Sequence, residues 1–345
     1  MSLTNALKKY NAAALTPSRW HTPGHKGTVN PLDLTELADG SFPADLVEVA
    51  QKKAAKFYGA KECYFLTVGS SMGIKAAILA TEGDIIAPSY AHQAIEEGCE
   101  LAKVKWCKFD TGKTEYGIFN VPSADDIKAA IKKYPNAKAV YLESPDYYGR
   151  VLDPKIIDLI KESGKYFFCD AAHGAHLKAH EKLFPQCYAT KADACNLSQH
   201  KTLDALTQCA TLCVNNDSLK DKIKKALKNL GTTSPSYVLL TSIEKSIKRA
   251  KNRKEEYEKL CERITEFKKN YTSLQFLNND DMTRLVLITP QNAHLAKVIV
   301  ERLAKNYGVY AERYEGDCVV FIATPHDTKE DFKILGKALN KVLDE

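Results

Sequence analysis

No apolar run in this chain approaches the ~18–20 residues that a helix needs to cross a bilayer, and residues 1–14 lack the continuous apolar core of a signal peptide. A membrane is therefore not an expected partner, and the cytoplasm is the expected location. No charge of one sign dominates either: 49 Lys and Arg face 43 Asp and Glu, a formal net charge of +6 over 345 residues. That balance can ease the approach of an anionic ligand, but it lacks the dense basic patches that hold nucleic acid. No nucleic-acid partner is expected. The ten cysteines contain no Cys-x-x-Cys pair. Scattered from Cys63 to Cys318, several inside apolar runs, they read as buried reduced thiols rather than a zinc ribbon or a disulfide scaffold. Nor is there a Gly-x-Gly-x-x-Gly or a P-loop Lys-Ser/Thr signature, which argues against NAD and ATP.

What is present is an ordinary globular composition, 44% hydrophobic and 27% charged, which excludes disorder and low complexity. At roughly 150 residues per domain the length suggests two domains, or one large domain with a smaller appendage. Leu46, Val49, Ala50, Ala54 and Phe57 fall on one helical face and lead into the β-rich run Cys63-Tyr64-Phe65-Leu66-Thr67-Val68. Helices are then expected after Ser71 and over 93–101, 124–133 and 155–163, with strands at 84–87, 104–109, 137–142 and 166–170. Short, nearly all-apolar strands between helices are what a mostly parallel sheet covered on both faces requires. The α/β reading runs to about Asn216. Residues 218–269 are Lys/Glu-rich and helical, broken at 231–235. A β-α-β-β-α unit follows, with strands at 284–288, 309–312 and 318–323 and helices at 293–307 and 329–343. The expected division is an N-terminal segment 1–30, a large domain 31–216, and interdomain helices with a small α+β domain over 217–345.

Three constellations carry chemistry. Gly69-Ser70-Ser71-Met72-Gly73 follows a strand and opens a helix, so free N–H groups and two hydroxyls meet the positive end of a helix dipole and can bind phosphate. Taken alone, the plainer reading of a turn with Ser as N-cap is preferred. Asp170-Ala171-Ala172-His173-Gly174-Ala175-His176 puts an acid and two imidazoles at the C-terminal end of a buried strand, where open α/β sheets place their ligands. The spacing of His173, His176 and His180 invites a metal, but no metalloprotease Glu is near and Gly174 breaks the helix between the first two, so no metal is expected. Ser198-Gln199-His200-Lys201-Thr202 follows another strand end. A Lys beside an imidazole and apolar Leu203, Ala205 and Leu206 can have its pKa lowered enough to act as a nucleophile.

In this order the three constellations resemble fold-type I pyridoxal-phosphate enzymes, and in detail the ornithine/lysine/arginine decarboxylase family. The resemblance includes His21-Thr22-Pro23-Gly24-His25-Lys26-Gly27, Ser144-Pro145-Asp146-Tyr147-Tyr148-Gly149, the Asp170 and Lys201 segments, and Thr232-Thr233-Ser234-Pro235-Ser236-Tyr237. It implies an aspartate aminotransferase-like large domain and a small C-terminal α+β domain. By the resemblance, Lys201 carries pyridoxal 5'-phosphate as a Schiff base and Asp170 pairs with the pyridinium nitrogen. Ser70, Ser71, Ser198 and His200 bind the phosphate, with Thr232 completing it from a partner subunit. His92 stacks on the ring opposite Ala172, and His173 lies beside the substrate carboxylate.

The chain departs from the family at Asp146 and Gln199, each in place of a Thr, and at Ser89 and Tyr90, where an Arg is usual. The outer domains of large members are expected to be absent. The implied activity is decarboxylation of lysine, ornithine or arginine by a homodimer or dimer-based oligomer. Glu312 is the first candidate to hold the substrate's distal cation, and Asp146 the second. The alternatives are an aminotransferase or lyase, with Arg284 or Arg313 clamping the α-carboxylate, and a non-catalytic pyridoxal-phosphate-binding protein.

Overall fold

The computed structural model describes residues 2–12, 20–34, 45–290 and 295–344. The N-terminal half alternates as the hydrophobic pattern requires: α1 Leu3–Ala12, α2 Asp45–Tyr58, β1 Glu62–Leu66, α3 Ser70–Thr81, β2 Ile85–Pro88, α4 Ala94–Ala102, β3 Trp106–Phe109 and α5 Ala124–Lys133. It continues through β4 Ala139–Glu143, α6 Pro154–Glu162, β5 Tyr166–Asp170, β6 Ala194–Leu197, α7 Gln199–Thr202 and β7 Ala210–Val214. Local chemistry sets several starts. Ser123 and Asp126 form a reciprocal capping box on α5, and Asp153 caps α6 ahead of Pro154 at its first position.

These strands form one sheet in the order β1-β7-β6-β5-β4-β2-β3, parallel except for β7, which runs antiparallel to β1 and β6. β4 and β6 flank β5, and the registers Glu143↔Asp170 and Asp170↔Asn196 bring three polar residues side by side. Apolar layers cover both faces. Val140, Phe167, Cys169 and Cys195 pack with Ala54, Ile156 and Ile160 on one side, while Ala139, Tyr141 and Phe168 pack with Ile74, Ile78 and Ile95 on the other. All ten cysteines are unpaired, and all but the half-buried Cys187 are buried.

The helical cover of the sheet continues past residue 216. α8, Asp217–Leu230, buries Leu219 and Ile223 in one layer, and α9, Tyr237–Asn252, buries Leu240 and Ile243 in the other. After α10, Lys254–Asn270, come β8 Arg284–Ile288, α11 Leu295–Tyr307, β9 Arg313–Glu315, β10 Cys318–Ile322 and α12 Lys329–Asp344. They make a three-stranded antiparallel sheet in the order β8-β10-β9, packed on helices through Leu287, Ile299, Leu303, Val319 and Leu339. The third strand begins at Arg313 rather than at 309, because the chain leaves α11 through Gly308 in the left-handed region and closes the helix end with a Val309 N–H to Leu303 carbonyl bond. Residues 293–294 of the expected helix lie outside the described residues. Among the described residues no helix is long and apolar enough to cross a membrane.

Candidate active site

The C-terminal ends of β4, β5 and β6 open into a narrow cleft lined by Ser70, His92, Glu143, Pro145, Tyr147, Asp170, Ala172, His173 and Lys201. In-register residues of parallel strands direct their side chains to the same face, which is why Asp170 and Glu143 meet here. Lys201 sits in the short α7 after β6, with its Nζ 3.1 Å from His173 Nε2. Burial pulls the Lys201 pKa down from 10.5, against the opposing pull of Asp170. Burial, reinforced by Lys201, Arg284 and Arg313, holds His173 well below the usual imidazole range, so this ring is neutral. Arg284 Nη2 lies 3.5 Å from His173 Nδ1 and can only donate. His173 Nε2 lies within hydrogen-bond reach of a Lys201 amine whose charged form burial disfavours. A buried Lys whose charged form is disfavoured is the kind of amine that can be made nucleophilic.

Asp170 is buried, and its Oδ1 accepts the Ala172 N–H at 3.0 Å. Burial raises its pKa above 3.8, opposed by that bond and by Lys201 and His92. The carboxylate makes no other hydrogen bond among the described residues, so the cleft confronts a desolvated carboxylate in want of a cationic partner. His92 Nδ1 accepts the Ala94 N–H at 3.1 Å, which leaves Nε2 protonated.

At the other end of the cleft, Ser198 Oγ donates to Ser70 Oγ at 2.9 Å, ahead of the free N–H groups of α3. Gly69, at φ +85°, makes the left-handed turn into that helix. Gly73 lets the helix lie against β6, since a Cβ there would fall 2.0 Å from Asn196 Oδ1. A nucleophilic amine, a buried carboxylate and a hydroxyl pair at a helix N-terminus are the donors that pyridoxal phosphate needs for its aldehyde, ring nitrogen and phosphate. The residues present fit the group.

The structure thus brings together Lys201, Asp170, His92, His173, Ala172 and Ser70 in one cleft, with Ser198 bonded to Ser70. Ser71 and His200 are half-buried beside it without lining it. Thr232 is exposed, its hydroxyl accepting the Ser234 N–H at 3.1 Å, and it does not reach the cleft of its own chain. Glu312 is exposed as well; its N–H bonds the Val320 carbonyl at 2.9 Å, and its carboxylate acts on Lys201 only through space. Asp146 is held in an ion pair with Arg150 at 2.7 Å.

Arg284 needs correction as a carboxylate clamp. It is 1% exposed, and its guanidinium donates to the His173 carbonyl at 2.8 Å and to Thr283 at 3.1 Å. His176 and His180 also find structural partners, Asp281 at 3.1 Å and Glu258 at 2.9 Å. Sequence reasoning missed Glu143 as well. The signal available was two acids at matched ends of adjacent apolar strands.

The major-domain profile described as Orn/Lys/Arg decarboxylase matches residues 30–295. The chain belongs to the Orn/Lys/Arg decarboxylase family. An arginine decarboxylase of Bacillus subtilis is 25% identical over an alignment of 377 residues, which covers 99% of this chain and 76% of that protein. The uncharacterized protein YaaO of the same organism is 31% identical over 251 residues, covering 65% of this chain and 52% of its own length. The B. subtilis arginine decarboxylase excepted, the chain spans about half the length of the curated relatives it matches. The lysine decarboxylase of Francisella novicida shares the fold, with a TM-score of 0.80 at 16% identity over 98% of this chain and 59% of that one. The large sheet and small domain therefore have the fold-type I architecture.

Proposed function

We propose that this member of the Orn/Lys/Arg decarboxylase family binds pyridoxal 5'-phosphate at Lys201 and releases carbon dioxide from a basic amino acid. The single observation that carries the reading is the Lys201 amine 3.1 Å from a neutral His173, in a cleft shared with Asp170. When bound, the cofactor supplies an electron sink for the bond that breaks at the substrate's α-carbon. The protein's own groups do the rest. Asp170 holds the ring nitrogen protonated, and binding that cation supplies the partner its desolvated carboxylate lacks. Ser70, Ser198 and the first turn of α3 hold the phosphate, and His92 and Ala172 flank the ring. His173 Nε2 moves a proton to or from Lys201 Nζ, a task suited to an imidazole kept neutral at pH 7.

The same residues support an enzyme over a storage protein, since storage needs no carboxylate at the ring nitrogen. With Arg284 committed to His173 and Thr283, Arg313 is left as the candidate clamp that an aminotransferase would need, and it is ion-paired to Glu315. A cytoplasmic homodimer, with Thr232 serving the partner's phosphate site, completes the proposal. The test is a panel of lysine, ornithine and arginine with purified protein and cofactor, following carbon dioxide and keto acid together. Carbon dioxide from at least one is expected. Keto acid without carbon dioxide overturns the decarboxylase reading in favour of transamination.

A further inference from the structure

Beside the cofactor cleft lies a second, solvent-open chamber, and the two share Glu143 and Tyr147. Its near wall is apolar: Tyr90 and Phe119 stack with centroids 4.4 Å apart, next to Val121 and Pro122. Its polar side carries three carboxyls and two guanidinium groups. Asp146 is matched by Arg150 at 2.7 Å, and Glu315 by Arg313 and by the Tyr148 hydroxyl at 2.7 Å. The Glu143 carboxylate makes no hydrogen bond or ion pair among the described residues, and the residue is half-buried between the two cavities. A chamber that combines an apolar wall with one unmatched carboxyl suits a methylene chain tipped by a cation.

We propose that Glu143, and not Glu312, recognises the distal cation of the substrate, whose side chain occupies this chamber while its α-amino group is at Lys201. The inference rests on the decarboxylase reading and names the residue that selects basic amino acids. The groups facing Glu143 are Asp170 on β5, Asp146 in the turn after β4, Lys201 on α7 and Arg313 on β9. Burial, with Asp170 and Asp146, pushes the carboxyl up to about 8 against the pull of Lys201 and Arg313. It therefore waits as a neutral acid and ionises as the substrate's ammonium or guanidinium arrives. One proton passes from the carboxyl to solvent, and one ion pair forms.

The experiment compares 1,5-diaminopentane with pentylamine, which lacks the distal cation, by calorimetry on the cofactor-loaded protein near pH 7 in buffers of different ionisation heat. Wild type should bind the diamine at least ten-fold more tightly. Glu143→Gln, isosteric with the neutral acid, should lose that preference and release about one proton fewer per diamine, while pentylamine binding stays unchanged and reports an intact fold. The same variant should raise KM for the preferred amino acid at least ten-fold with kcat retained. A diamine preference that survives in Glu143→Gln, or is absent in wild type, overturns the inference. Absence of carbon dioxide from every basic amino acid overturns the decarboxylase reading instead, and the diamine comparison then still decides the role of Glu143.

Discussion

Replacing Glu143 by Gln should stabilise the folded protein without ligand, by an amount that grows with pH. The carboxyl leaves its ordinary value of 4.5 for about 8 on folding, chiefly through burial and the nearby Asp170. Between those two values the folded protein keeps a proton that the unfolded chain has lost, so this group lowers stability as pH rises, by up to ~1.4 kcal/mol per pH unit. The penalty is absent below 4.5 and complete above about 8. Gln is neutral in both states and carries none of it.

From about pH 5 to about pH 7 the ceiling is ~2.7 kcal/mol, and screening by water in the open chamber reduces it to about 1–2 kcal/mol. For a chain of this size that is a few degrees in the thermal midpoint. The assay is thermal unfolding of cofactor-free wild type and Glu143→Gln at about pH 5, 6, 7 and 8. The midpoints should nearly coincide at the acid end and separate steadily, with the variant higher. A separation independent of pH, or a variant less stable throughout, refutes the reasoning about this carboxyl.

Asp170→Ala removes the anionic partner of the cofactor's ring nitrogen, so steady-state turnover should fall by orders of magnitude while absorbance shows some cofactor still held through its phosphate; near-normal turnover would sink that role. Gly73→Ala places a methyl 2.0 Å from Asn196 Oδ1 and 2.9 Å from Leu66 Cδ1, and should destabilise by about 1–3 kcal/mol in urea unfolding. Asp281→Asn leaves the buried Arg284 and His176 without their anion and should cost about 3–5 kcal/mol near neutral pH. Burial raises the Asp281 pKa, but His176 and Arg284 outweigh it and hold the carboxyl below 3.8, so this stabilisation is present above that value and fades as pH falls below it. A variant equally destabilised under strongly acidic conditions would contradict the electrostatic account.

Local pattern alone located most of the large-domain elements. The capping box at Ser123 and Asp126 starts α5 where the sequence places it, and the apolar run ending at Asp170 is β5. Lys201, Asp170 and His173 stand out in one dimension because each sits at a strand end or in a short motif, and His92 through the family resemblance; the structure brings the four into one cleft. Three decisions needed the third dimension. α8 and α9 read as interdomain helices, but which face a helix buries depends on the sheet it meets, and Leu219 and Leu240 settle on opposite faces of the large one. The partner of His176 is Asp281, 105 residues later, and no local pattern around His176 points to it. Glu143 lay one residue outside a quoted motif and carried no local mark. It became a candidate only when the β4–β5 register set it beside Asp170, because neighbouring charge and burial, which determine what a carboxyl can do, are properties of the packed chain.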